Sequence, residues 1–150
     1  MKNSCFFIGH RDTPSDVIPL LLETIEKHTT EYGVTDFYVG HRGNFDSYAA
    51  AALCAMKQQY PHIKAYLLLA YPPALRHVDL PIGFDNWFFM DGQEKAPPRY
   101  AIVSANKRMV SEVGYLIAYS KNVTNGSYML LQYAKALEEK GQLVITNLAK

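Results

Sequence analysis

Cys5-Phe6-Phe7-Ile8-Gly9-His10-Arg11-Asp12 is the stretch on which the fold turns. An apolar run of strand length stops at a glycine, a basic pair follows, and a helical pattern begins a few residues later. That order is the first half of a βα unit, in which a ligand sits at the break between strand and helix. Thr13-Pro14-Ser15-Asp16 then reads as a turn and helix start, with Ser15 or Asp16 placed to cap exposed amides before Val17, Ile18, Leu21, Leu22 and Ile25 recur at helical spacing. The helix is expected to reach about Tyr32 and end at Gly33.

The chain then repeats the move. Thr35 to Val39 is a short β-rich run ending at Gly40, followed by His41-Arg42-Gly43-Asn44-Phe45-Asp46 and a helix from about Asp46 to Tyr60 whose four consecutive alanines, Ala49 to Ala52, let it lie close to the sheet. Ile63 to Ala70 is apolar enough to be a strand buried on both faces, as parallel strands are. Tyr71 to Asp85 is irregular and proline-rich, a long loop with room for a short helix, and loops of that length in compact domains are often functional. Asn86 to Met90 reads as a fourth strand, and Asp91-Gly92 as a turn. A helix from Pro97 or Pro98 passes through Met109, and Gly114 to Tyr119 is a fifth strand. Asn122 to Gly126 is a loop, Ser127 to Lys140 a helix closed by Gly141, and Leu143 to Leu148 the last strand. Regular alternation of this kind predicts one doubly wound α/β domain over residues 1–150, with a mostly parallel sheet of five to six strands and helices on both faces.

Composition narrows the function. Fifteen Lys plus Arg against fourteen Asp plus Glu leave no global field for nucleic acid or an acidic membrane, so any anion site is local. The two cysteines, Cys5 and Cys54, sit where small buried hydrophobes would, which suits a reducing compartment. No segment has the length of a transmembrane helix, and the start at Met1 lacks a signal-peptide core, so a cytoplasmic protein with no membrane contact is expected. The five histidines are scattered and no cysteine pair has metal-ligand spacing, so no metal site is expected. The 11 tyrosines, with no basic clusters between them, read as core and interface material.

Three glycine-containing turns fall at one sheet edge in this architecture, beyond the carboxyl ends of the strands where ligands bind. Gly9 permits close backbone approach, Arg11 offers a fork of donors matched to phosphate, and His10 or His41 beside an acid could exchange protons. At the second turn Gly40, Arg42 and Gly43 repeat the pattern. Asp46 there either caps the following helix, the favoured role, or accepts from a ribose hydroxyl. At the third, Asn125, Gly126 and Ser127 open a long helix whose dipole favours an anion. Each turn alone is a weak signal, and agreement among them is what points to a phosphorylated ligand. Neither a Gly-x-Gly-x-x-Gly nor a P-loop spacing occurs.

The opening Phe-Ile-Gly-His-Arg, Phe37-Tyr38-Val39-Gly40 leading to Gly43-Asn44-Phe45-Asp46, Asn106-Lys107-Arg108-Met109-Val110, and Gly126-Ser127 before a long helix together resemble the SLOG superfamily, over nearly the whole chain and in order. Within it the likeness is to the DUF1273 or YpsA-like branch. The resemblance implies a Rossmann-like fold that binds or senses nucleotides or nucleotide-derived ligands such as NAD or ADP-ribose, with no required cofactor, and a homodimer. It also invites comparison with the LOG phosphoribohydrolases. Their Pro-Gly-Gly-x-Gly-Thr-x-x-Glu would place Gln132 at the catalytic Glu, and their Arg-Lys-x-x-Met would place Ala105 at the Arg. A neutral amide cannot stabilise an oxocarbenium-like centre as a carboxylate does, so LOG-type hydrolysis is not expected. Two alternatives stay open: a nucleotide-processing N-glycosidase or hydrolase using another acid, with Asp12, Asp46 or Glu112 as candidates, and, third, a nucleic-acid-binding module.

Overall fold

The expected alternation forms a single sheet. In the computed structural model, which describes residues 1–121 and 126–149, β1 (Ser4–Gly9), β2 (Asp36–Val39), β3 (Lys64–Leu68), β4 (Asn86–Phe88), β5 (Tyr115–Tyr119) and β6 (Val144–Asn147) pair in parallel throughout. Their order is β4-β3-β2-β1-β5-β6. The first four strands step outward in one direction, and the chain then returns across the sheet to lay β5 on the other side of β1. The order therefore reverses between β1 and β5, and the crevice outside their carboxyl ends is where this fold class binds ligands. The architecture is a Rossmann-like doubly wound domain, as the sequence predicts.

Period-two burial splits the core in two. On one face Cys5, Phe7, Phe37, Val39 and Ile117 meet α1 (Ile18–Thr30) and α2 (Asn44–Gln59), with Leu21, Ile25, Phe45 and Leu53 fully buried. On the other, Phe6, Ile8, Tyr38, Leu116 and Ala118 meet α3 (Ala101–Glu112) and α4 (Gly126–Glu139) through Ala105, Met109, Leu131 and Ala134. Neighbouring residues of β1 thus face opposite layers, which is why its sequence is apolar without alternation. Both cysteines are free, and burial pushes the Cys5 thiol far above its ordinary range, so it packs as an inert hydrophobe. Among the described residues no helix is long and apolar enough to cross a membrane.

Helix starts depart from the sequence reading. A single 3-10 turn, Ser15–Val17, precedes α1, and neither it nor α1 receives a side-chain cap; Ser15 and Asp16 do not cap. Pro14 already holds the entry extended, and Pro19 at the first turn of α1 has no amide to satisfy. The Tyr71–Asp85 stretch forms turns and no helix, pinned by Leu75 and Arg76 amides donating to the Pro72 carbonyl at 2.9 and 3.3 Å.

One buried polar side chain in the α1 layer has a thermodynamic consequence. His28 donates from Nδ1 to the Thr24 carbonyl at 2.8 Å, while its Nε2 is buried with no partner among the described residues and its ring meets Tyr32 and Tyr115 edge-on. Burial, and secondarily the Lys27 charge, hold its pKa below the ordinary 6.5, so the folded state binds fewer protons than the unfolded chain below that pH. Its contribution is intact above about pH 6.5 and is lost on acidification. Urea midpoints measured between pH 7 and pH 5 are expected to fall in the wild type and to fall less steeply in His28→Phe, which keeps the aromatic packing without the titration. Equal slopes would show that His28 does not set the acid limit.

Candidate functional site at the carboxyl edge of the sheet

The end of β1 is shaped by an intimate packing contact. A Cβ at Gly9 would strike the Phe45 ring, with Phe45 Cβ only 2.7 Å away, so glycine here lets the first turn of α2 settle onto the strand. Phe45 is the second residue of α2 and fully buried. Gly9 therefore serves helix packing in the first place, a role that the sequence reading did not assign to it.

That settling brings the two His-Arg turns together. The Arg11 carbonyl accepts the Asn44 amide at 2.8 Å, and Asn44 Nδ2 donates to the Thr13 carbonyl at 3.4 Å. Gly43 adopts φ +86°, and a Cβ there would lie 2.6 Å from Arg11 Cα, so both conformation and space demand glycine. Arg11 itself is exposed and forms no ion pair among the described residues. Asp12 beside it is exposed as well.

Asp46 corrects one expectation. α2 starts at Asn44 after Gly43, so Asp46 is the third helical residue and not the N-cap. Its Oδ2 reaches back past the N-cap Gly43 to accept the Arg42 amide at 2.9 Å, and lies against Gly40, where a Cβ would approach it to 2.9 Å. Burial raises its carboxyl from the ordinary 3.8 to about 7, against the opposing pull of the Arg42 amide and guanidinium. His41 is shifted down, first by burial and then by the Arg42 charge.

The crevice between β1 and β5 is closed by His10. Lys121 donates its backbone amide to His10 Nε2 at 2.9 Å, so that nitrogen carries no proton in the neutral ring, and Nδ1–H is directed to Ser127 Oγ at 2.8 Å. The end of β1 is thereby tied both to the residues following β5 and to the start of α4. Thr13 Oγ1 donates to the His10 carbonyl at 2.6 Å, tightening the turn beneath. Beside this bridge the Asn147 side chain extends the β5–β6 ladder: Oδ1 accepts the Ser120 amide at 3.1 Å and Nδ2 donates to its carbonyl at 3.0 Å. Ser120 Oγ, buried next to His10's anchor, has no hydrogen-bond partner among the described residues. A buried hydroxyl without a partner is costly unless something else completes it.

Of the predicted contacts, Gly9, His10, Arg11, Gly126 and Ser127 thus meet around the crevice, and Gly40, Arg42, Gly43 and Asp46 form its β2 wall. Asn125 lies outside the described residues. Glu112 is not brought to the site: it is exposed at the last position of α3, just before β5 begins, and so at the opposite edge of the sheet. Ala105 is buried in the α3 core and Gln132 is exposed on α4, so neither offers the side chain that LOG chemistry uses. No group of three or more potential metal ligands occurs among the described residues. Ser120, Lys121 and Asn147 were missed in sequence, although Ser120-Lys121 directly follows an apolar strand just as His10-Arg11 does.

No family model matches the chain, and no curated protein matches it. Its class rests on fold and site: a Rossmann-like α/β domain whose carboxyl edge carries cationic turns around the β1–β5 switch point.

Two substitutions test this construction. Gly9→Ala is expected to cost about 1–3 kcal/mol in denaturant unfolding by displacing Phe45, and an unchanged midpoint would refute the packing role. Asp46 binds a proton in the folded state that the unfolded chain releases between about pH 4 and 7, so wild-type stability declines as pH rises through that window. Asp46→Asn keeps an acceptor for the Arg42 amide, and is expected to flatten that decline and gain on the order of 1 kcal/mol at pH 8.

Proposed function

We propose that this protein binds a nucleotide or nucleotide-derived ligand, with a phosphate seated in the β1–β5 crevice, as a sensing or regulatory domain. The observation that carries the reading is the convergence at the switch point: the Ser120 hydroxyl, buried and without a partner among the described residues, beside the His10–Ser127 bridge, with the exposed Arg11 guanidinium at the same strand end. The positive end of the α4 dipole adds to a field that favours an anion. The likeness of the three turns to the SLOG superfamily supports the same ligand class, with NAD and ADP-ribose among the candidates. Self-association as a homodimer and a cytoplasmic location belong to this reading too.

A second reading has one specific support. Asp46, raised to about 7 at the same edge, is poised for general acid or base work on a bound nucleotide. It would make the protein a hydrolase of a type different from the LOG enzymes.

Thermal shift and chromatography of one incubation separate the two. With nucleoside monophosphates, NAD and ADP-ribose, the binding reading expects stabilisation by a ligand recovered intact, weakened about ten-fold or more by Arg11→Ala. Release of free base that Asp46→Asn abolishes would establish the hydrolase instead. If no phosphorylated compound stabilises the protein, the anion site is refuted.

A further inference from the structure

A cavity of about 390 Å³ opens at the carboxyl ends of β2 and β3, sharing Arg42 with the β2 wall of the crevice. Its volume lies within the roughly 300–1,000 Å³ of small-molecule sites. Arg42 lines it from the β2 turn, and Arg76 from the irregular segment after β3. Arg76 is held by stacking its guanidinium over the Tyr71 ring at 3.9 Å, which leaves the edge of the planar fork for an in-plane acceptor. Among the described residues neither arginine forms an ion pair. The acid on the cavity wall, Asp79, is engaged with His77 at 2.7 Å. Two guanidinium groups against one carboxylate leave the cavity wall with an excess of positive charge in a chain whose formal net charge is only +1.

The walls of this cavity are fixed from behind. Gln93, buried, donates to the Ala70 and Ala101 carbonyls at 3.2 and 2.9 Å and is itself held by Arg108 Nη1 at 3.1 Å. Tyr71 Oη donates to the Pro98 carbonyl at 3.0 Å, and Trp87 Nε1 to the Val78 carbonyl at 2.7 Å. A loop tied at three points presents its arginine with little ordering left to do on binding, which is the condition for a preorganised site.

We propose that this cavity is a second anion subsite for the crevice's own ligand, seating a phosphate carried on the sugar of the nucleotide. The inference rests on the nucleotide reading above. In sheets of this kind the residue beyond the end of β2 reads the ribose: a carboxylate there accepts from free hydroxyls, whereas an arginine receives a sugar phosphate. Here the β2 turn contributes Arg42. Its nearby acid, Asp46, is turned back onto the Arg42 amide. The site thus offers a sugar phosphate two guanidinium groups, Arg42 and Arg76, against the one carboxylate of Asp79 on its rim.

Isothermal titration with adenosine 5′-monophosphate, adenosine 2′,5′-bisphosphate and adenosine 3′,5′-bisphosphate tests it, since the three differ only in the sugar phosphate. The wild type is expected to bind one of the bisphosphates about ten-fold or more tighter than the monophosphate, and Arg76→Ala to erase that gain while leaving monophosphate affinity and the thermal midpoint unchanged. Monophosphate binding with no gain from either bisphosphate, or a gain that survives in Arg76→Ala, overturns the subsite and leaves the crevice reading standing. A gain that persists while Arg11→Ala has no effect on any of the three overturns the crevice, and with it the cavity's role as a second subsite for the crevice's ligand. Failure of all three to bind overturns both.

Discussion

The seating of Phe45 on Gly9 is the contact on which the rest of the carboxyl edge depends. A helix that follows a parallel strand normally stands off by the width of the strand's side chains. Removing the Cβ at Gly9 lets α2 drop onto the end of β1, and the buried Phe45 ring fills the space that a side chain would have taken. Once α2 is that low, its entry turn must pass directly over Arg11. Only a residue without a Cβ can make that crossing, and Gly43 with its positive φ does so. The Asn44 amide then reaches the Arg11 carbonyl, and two turns far apart in sequence become one wall.

His10 performs the corresponding task on the other side of the crevice. Its Nε2 accepts a backbone amide that cannot give up its proton, so the neutral ring has its remaining proton on Nδ1, directed at Ser127. A histidine so placed is a brace between β1, the end of β5 and α4 before it is a catalyst. Its tautomer follows from the Lys121 amide and not from any ligand.

The fold was legible in the sequence because its signals were redundant. β1, β2, β3 and β5 each pair an apolar run with a glycine or polar break, and each helix carries its own 3.6-residue stripe, so boundaries slipped by only a few residues. The site was partly legible. Glycines followed by His-Arg mark strand ends, but a glycine looks the same in sequence whether it admits a ligand or a phenylalanine, and at Gly9 the ring fills the space. Asp46 was read as an N-cap because Asp is common there; the helix begins two residues earlier and the carboxylate reaches backward. Ser120, Asn147 and Arg76 were invisible for another reason. Each acquires its role from a residue distant in sequence, Asn147 on β6 for Ser120 and Tyr71 across a loop of turns for Arg76, and no local pattern encodes such a pairing.

Charge is where the sequence total misleads most. A balance of fifteen basic against fourteen acidic residues describes a nearly neutral molecule, yet two of the acids near the carboxyl edge are engaged by groups other than its arginine side chains. Asp46 sits in a setting that holds its carboxyl near pKa 7 and spends an oxygen on a backbone amide. Asp79 is bonded to His77. Elsewhere the pairing is ordinary: Lys57 and Lys64 share Asp85 just before β4. Among the described residues Arg11, Arg42 and Arg76 at the carboxyl edge form no ion pair, so the cationic groups of a nearly neutral chain are concentrated there. A surface of that kind discriminates by where a ligand carries its negative groups, not by how many it has, and that distribution, more than any single turn motif, defines what this edge can recognise.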